Sequence, residues 1–132
     1  RRQRSFKRRL LQNLDQYFTF RRSHDPDGDI CDTVVFRFEN KREADRLLKV
    51  LNHLSIPTKN LPDALKWHFA GEWRHLHHEM ARLPKATKGS DRWSRSREVL
   101  DCSVAIAVSA KAQQTEADDL SQRILDTWNA LV

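Results

Sequence analysis

The stretch that decides the fold is Thr33-Val34-Val35-Phe36-Arg37-Phe38-Glu39-Asn40-Lys41-Arg42-Glu43-Ala44-Asp45-Arg46-Leu47-Leu48. Its first half is β-branched and aromatic. Val34, Phe36 and Phe38 alternate with Thr33, Val35 and Arg37, the two-residue period of a strand with one buried face. Asn40 breaks that pattern, and its short amide side chain suits the N-cap, where it accepts from an unpaired N–H of the first turn. The helix that follows carries Ala44, Leu47, Leu48, Leu51 and Leu54 at three- and four-residue spacing, a single apolar stripe. A strand running straight into an amphipathic helix calls for a layer of sheet against a layer of helix.

The flanks continue that scheme in both directions. Upstream, Phe6, Leu10, Leu11, Leu14, Tyr17 and Phe18 form another helical stripe, which extends the first helix to about Phe20 and places Phe6, Tyr17 and Phe18 in the core. Residues 23–29, Ser-His-Asp-Pro-Asp-Gly-Asp, concentrate turn formers and read as an exposed loop in which Gly28 supplies a left-handed position. Downstream, residues 55–59 are β-compatible, with Pro57 confined to a strand end or a sheet edge because it has no N–H to donate. Pro62 suits the first position of a brief helix through Lys66. An aromatic and histidine-rich run over 67–78 and a loop over 83–90 come next, then a helix from about Asp91 to Val99. Residues 104–108, Val-Ala-Ile-Ala-Val, form a largely apolar strand. A closing helix is expected to open on Thr115 with Asp118 in a capping-box arrangement and to carry Leu120, Ile124, Leu125, Trp128 and Leu131. The expected fold class is α/β: one domain over residues 1–132, a two-layer sandwich with a small sheet of about three strands covered by helices.

With 132 residues the chain has room for one core and no more, and 39% hydrophobic with 32% charged residues is the balance of a globular domain. No apolar run approaches the roughly 20 residues of a bilayer span, so neither membrane insertion nor secretion is expected. The net charge of +6 lies wholly in residues 1–22, where Arg1, Arg2, Arg4, Lys7, Arg8, Arg9, Arg21 and Arg22 face only Asp15. Such a cluster is either the polar face of a terminal helix or an arm for an anionic partner such as nucleic acid. The aromatics beside it fall on the apolar stripe rather than between the cations, which favours the first. Cys31 and Cys102 are too few and too far apart for a metal knuckle or a redox CxxC pair, and read as free buried thiols in a reducing compartment. The chain opens on Arg1 where a start methionine would stand, and is read as part of a longer product.

Three constellations could carry chemistry. His68, His75, His77 and His78, with Glu72 and Glu79, include an i, i+4 pair in His75 and Glu79. The pattern lacks HExxH, and no cysteine joins it. Ser55, Ser94 and Ser103 sit in no nucleophile elbow, and Gly28, Gly71 and Gly89 are isolated, so no glycine-rich loop cradles a phosphate. The third is Thr58-Lys59-Asn60-Leu61-Pro62-Asp63-Ala64-Leu65-Lys66-Trp67-His68-Phe69-Ala70-Gly71-Glu72-Trp73. Cations, an amide, carboxylates, two tryptophans and a histidine in one segment suit a polar small-molecule site with aromatic walls, and equally a connection whose aromatics cover the sheet.

That last run, with Pro57 before it and Asp27-Gly28-Asp29-Ile30-Cys31-Asp32-Thr33-Val34-Val35-Phe36 upstream, resembles the C-terminal part of DegT-type sugar aminotransferases. It looks most like the enzymes that make an amino-octulosonate sugar for lipopolysaccharide. The resemblance covers nearly the whole chain. It implies the small, substrate-capping C-terminal domain of a type I aminotransferase, cytoplasmic, whose parent enzyme binds pyridoxal phosphate through a lysine of a large domain absent from this chain. That context surrounds no lysine here, so the resemblance implies a chain that is inactive alone. The parent would move an amino group from glutamate to a keto or aldehyde sugar and act as a homodimer. His68 resembles a substrate-facing histidine of the family, and Thr58, Lys59 and Asn60 lie just upstream. Lys59 would then suit a sugar carboxylate, Asn60 the hydroxyls and Trp67 a wall to the sugar. The alternative is a free-standing, non-catalytic binding module that uses its basic N-terminal helix.

Overall fold

In the computed structural model, which describes residues 1–59, Phe69, Trp73 and 93–131, the 33–54 stretch is the strand and capped helix its pattern calls for. Along the chain come α1 (Arg2–Leu14), β1 (Thr19–Phe20), β2 (Thr33–Arg37), α2 (Lys41–His53), β3 (Thr58–Lys59), α3 (Ser94–Asp101), β4 (Ser103–Ala107) and α4 (Gln114–Ala130). The expected brief helix over 62–66, the run over 67–78 apart from Phe69 and Trp73, and the loop over 83–90 lie outside the described residues.

The strands lie in the order β1-β2-β4-β3, with every neighbouring pair antiparallel. Since β2 and β3 both oppose β4, they run parallel to each other with β4 between them, and α2 is the crossover of this split β-α-β unit. The expected strands are present, and the two-residue β1 adds one more at the edge. Pro57 directly precedes β3 at the opposite edge, where a residue without an N–H does no harm. Val34 faces Ile106 across the ladder and Phe36 faces Val104, so these four share one side of the sheet. That side joins Phe6, Leu10 and Leu14 of α1, Ala44, Leu47, Val50 and Leu51 of α2, and Ala117 and Ile124 of α4 in a single core.

The first helix is shorter than its stripe suggests. It ends at Leu14, whose carbonyl accepts from both Tyr17 and Phe18 at 3.0 Å, and the chain turns into β1. Tyr17 is therefore 61% exposed rather than in the core. Phe18 leaves the helical direction to meet Phe36 edge-on at 5.5 Å and Trp128 of α4 at 5.1 Å, and burial of that ring outweighs another helical turn. Trp128 is in turn covered by the Arg46 guanidinium, 3.9 Å from its ring centre, which ties α2 to the same cluster.

The helix ends show how local chemistry sets the boundaries. Asn40 accepts from the Glu43 N–H at 3.0 Å, the N-cap its position implies. At the other end of α2, the Ile56 N–H donates to Leu51 at 2.9 Å and the Ser55 N–H to Asn52 at 3.0 Å, a Schellman closure with Ser55 at φ 56°. The α4 capping box is formed by Gln113 and Glu116, not Thr115 and Asp118. Asp118 turns instead to α1, where Arg9 and Asn13 both donate to it at 2.7 Å. Gly28 takes no positive φ. The Asp25 carboxylate accepts from the N–H groups of Asp27 at 3.1 Å and Gly28 at 2.9 Å and fills the space a Cβ would need. The left-handed residue of this loop is Cys31, at φ 61°. Among the described residues no helix is long and apolar enough to cross a membrane.

Two substitutions test these assignments by urea unfolding. Ser55→Gly removes the Cβ penalty of a left-handed residue and is expected to raise stability by about 1 kcal/mol. Phe18→Ala empties the centre of the aromatic cluster and is expected to cost about 3–5 kcal/mol.

Candidate functional site

The expected site is Thr58, Lys59, Asn60, Trp67 and His68. Thr58 is half-buried in β3 at the register position opposite Ile106, and Lys59 follows it opposite Ala105. Both therefore stand on the edge strand next to the centre of the sheet. Asn60, Trp67 and His68 lie outside the described residues, as do the histidine and glutamate positions considered for zinc. Among the described residues no group of three or more His, Cys, Asp or Glu side chains could hold a metal ion.

A second fixed point of the motif is Phe69. It is 4% exposed, its ring meets Trp93 edge-on at 6.4 Å, and the Arg97 guanidinium of α3 lies 4.9 Å from its centre. The motif is thus anchored at β3 and again where Phe69 packs beside α3. In the sequence Phe69 is one aromatic among several, between Trp67 and Trp73, and nothing in its spacing marks it as the packing anchor.

Of the serines considered as nucleophiles, Ser103 has a structural role. The Ser103 hydroxyl is buried and donates to the Val99 carbonyl at 2.6 Å, which closes α3 onto β4. Burial, followed by the nearby Glu98 and Asp101 carboxylates, pushes the Cys102 thiol up from its ordinary range. Cys31 is buried and its thiol donates to the Asp29 carbonyl at 3.3 Å, whereas Cys102 is only half-buried.

The basic first helix is the feature whose surroundings the sequence concealed. Lys7 meets Asp29 at 2.7 Å, with the two side chains only 17% and 20% exposed. Arg4 donates to the carbonyls of Asp27 and Asp29, and Arg9 pairs with Asp118. Three cations of α1 are thus directed at carboxylates and carbonyls of this same chain. The 23–31 loop is strapped to the helix rather than hanging free. The available signal was the three-residue spacing of Arg4 and Lys7, one helical face, against the two-residue spacing of Asp27 and Asp29. Lys7, with the Cys31 N–H beside it, holds the Asp29 carboxyl below the ordinary aspartate range.

Four of the described lysines, Lys7, Lys41, Lys49 and Lys111, do not fit the lysine that pyridoxal phosphate needs. A lysine that links to the cofactor must present a neutral amine in a walled pocket. Lys7 is paired with Asp29 and Lys41 with Asp45, each at 2.7 Å, while Lys49 and Lys111 are exposed.

Because its folded pKa lies below the ordinary value of 3.8, Asp29 stabilises the fold above that value, and the contribution is lost as pH falls through the folded one. Asp29→Asn is therefore expected to lower stability at neutral pH by up to about 1 kcal/mol. In urea titrations at decreasing pH the gap from the unsubstituted chain should close in acid, and a gap independent of pH removes this role for the pair. Compared with known proteins, the chain matches no family model and no curated protein.

Proposed function

We propose that this chain is the small, substrate-capping domain of a pyridoxal-phosphate-dependent sugar aminotransferase, one that moves an amino group from glutamate to a keto or aldehyde sugar for a cell-surface polysaccharide. The observation that carries the proposal is the run from Pro57 to Trp73, whose residue types and order resemble that family's. Two structural features support it. The run begins in an edge strand of a small antiparallel sheet, and its Phe69 packs beside α3. In this reading the cofactor and its lysine belong to a large domain outside this chain.

The residues of this chain would bind and orient the sugar. Lys59 supplies a point charge for a sugar carboxylate and Asn60 a donor and acceptor for hydroxyls. Thr58 offers a hydroxyl beside them. His68 would face the substrate as a hydrogen-bond partner, and Trp67 would form the apolar wall a sugar ring stacks on. Closure of such a domain over the bound sugar would exclude water from the reacting centre of the parent enzyme.

The test is steady-state kinetics of the complete enzyme with glutamate as donor. Lys59→Ala is expected to raise KM for the sugar by roughly tenfold or more, the value of a hydrogen bond to a charged group, with a smaller effect on KM for glutamate. An unchanged KM for the sugar removes Lys59 from the site, and absence of any glutamate-dependent amination removes the family reading.

A further inference from the structure

A cleft of about 380 Å³ opens between α1 and the segment that leaves β1, with Arg4, Lys7, Arg8, Arg21 and Arg22 at its rim. Leu11, Phe20 and Pro26 supply apolar wall. Arg4 and Lys7 are committed to the 27–29 loop and serve to build the cleft. Arg8, Arg21 and Arg22 are exposed, and among the described residues none of them pairs with a carboxylate. Their positions are set by rigid elements: Arg8 sits within α1, and the Arg21 N–H continues the sheet by donating to Val35 at 2.9 Å. The one carboxylate in the cleft, Asp29, pairs directly with Lys7 and interacts more weakly with Arg21, so the cleft keeps a net positive charge.

We infer that this cleft binds a small molecule through a phosphoryl group, with an apolar or ring-shaped portion of the ligand against Leu11 and Phe20. Three guanidiniums exceed what one carboxylate can engage, whereas a phosphomonoester carries nearly two charges and three acceptor oxygens and takes bidentate arginine forks from several directions. The volume falls in the range of small-molecule sites. A nucleic-acid polymer is a poorer fit, because tracking a backbone needs a continuous basic stripe. Here Arg4, Lys7 and Arg9 of α1 are turned onto carboxylates and carbonyls of the chain itself, which separates the exposed Arg1 and Arg2 from the cleft. The inference stands on the cleft alone and does not depend on the family reading.

The experiment is an amide-resolved NMR titration of the full chain with phenyl phosphate, with benzenesulfonate and a single-stranded oligonucleotide as comparisons. Saturable shifts confined to the amides around Arg8, Arg21, Arg22 and Ser23 are expected, tighter for phenyl phosphate than for the singly charged sulfonate. Arg8→Ala and Arg22→Ala should each weaken binding by roughly tenfold. Arg22→Lys should retain part of the affinity, and Lys49→Ala, at an exposed position on α2 outside the cleft, all of it. The same spectra report whether each variant is folded. Three outcomes overturn the inference: shifts that never saturate, affinity untouched by the arginine substitutions, or binding seen only with the oligonucleotide.

Discussion

The fold depends on one buried ring. Phe18 stands edge-on to Phe36 of the sheet and to Trp128 of α4, and Phe38 stacks on the same tryptophan with an interplanar angle of 21°. Each such aromatic contact adds about 0.5–1.5 kcal/mol beyond its buried area. Their sum exceeds what another turn of α1 would supply, since the residues after Leu14 offer only intrinsic propensity. Because Phe18 must point inward, the helix stops, Thr19 and Phe20 fall into register with β2, and Arg21 and Arg22 emerge at the mouth of the cleft. One packing demand thus determines where the helix ends, where the sheet gains its edge strand and where the free cations lie.

The charge distribution follows from the same geometry. A cluster of arginines in sequence suggests a basic surface, yet the fold returns the 27–29 loop and α4 to α1 and answers Lys7 with Asp29 and Arg9 with Asp118. Among the described residues, the cations left without a carboxylate include Arg1 and Arg2 at the start of the helix, and Arg8, Arg21 and Arg22, which line one cleft. The two candidate sites are distinct in kind. One is an edge-strand segment whose chemistry rests on residue types and family resemblance, the other a cleft defined by described side chains.

Much of the fold was legible because its signals are local or strictly periodic. The alternation over 33–38, the Asn40 cap, the α2 stripe and the apolar run that became β4 all reappear in the structure, as does the placement of Pro57 at a sheet edge. The misread features were those decided by distant partners. Tyr17 lies on the helical stripe in sequence and at the surface in fact, because Phe18 is claimed by residues far along the chain. Asp118 has capping-box spacing but is drawn away by Arg9, leaving Gln113 and Glu116 to close α4. The left-handed position expected at Gly28 fell to Cys31, since the Asp25 carboxylate already organises the turn. Of the candidate site, Thr58 and Lys59 could be placed, and the anchoring of Phe69 beside α3 could not be foreseen from spacing alone, because the intervening contact is made by tertiary packing.

The central claim, that this chain caps the active site of a larger transaminase, is tested most directly by sequencing the coding DNA immediately upstream of the Arg1 codon. The account predicts an open reading frame that continues into a large α/β domain with a cofactor lysine. A start codon directly before Arg1 would contradict it and leave a free-standing binding domain.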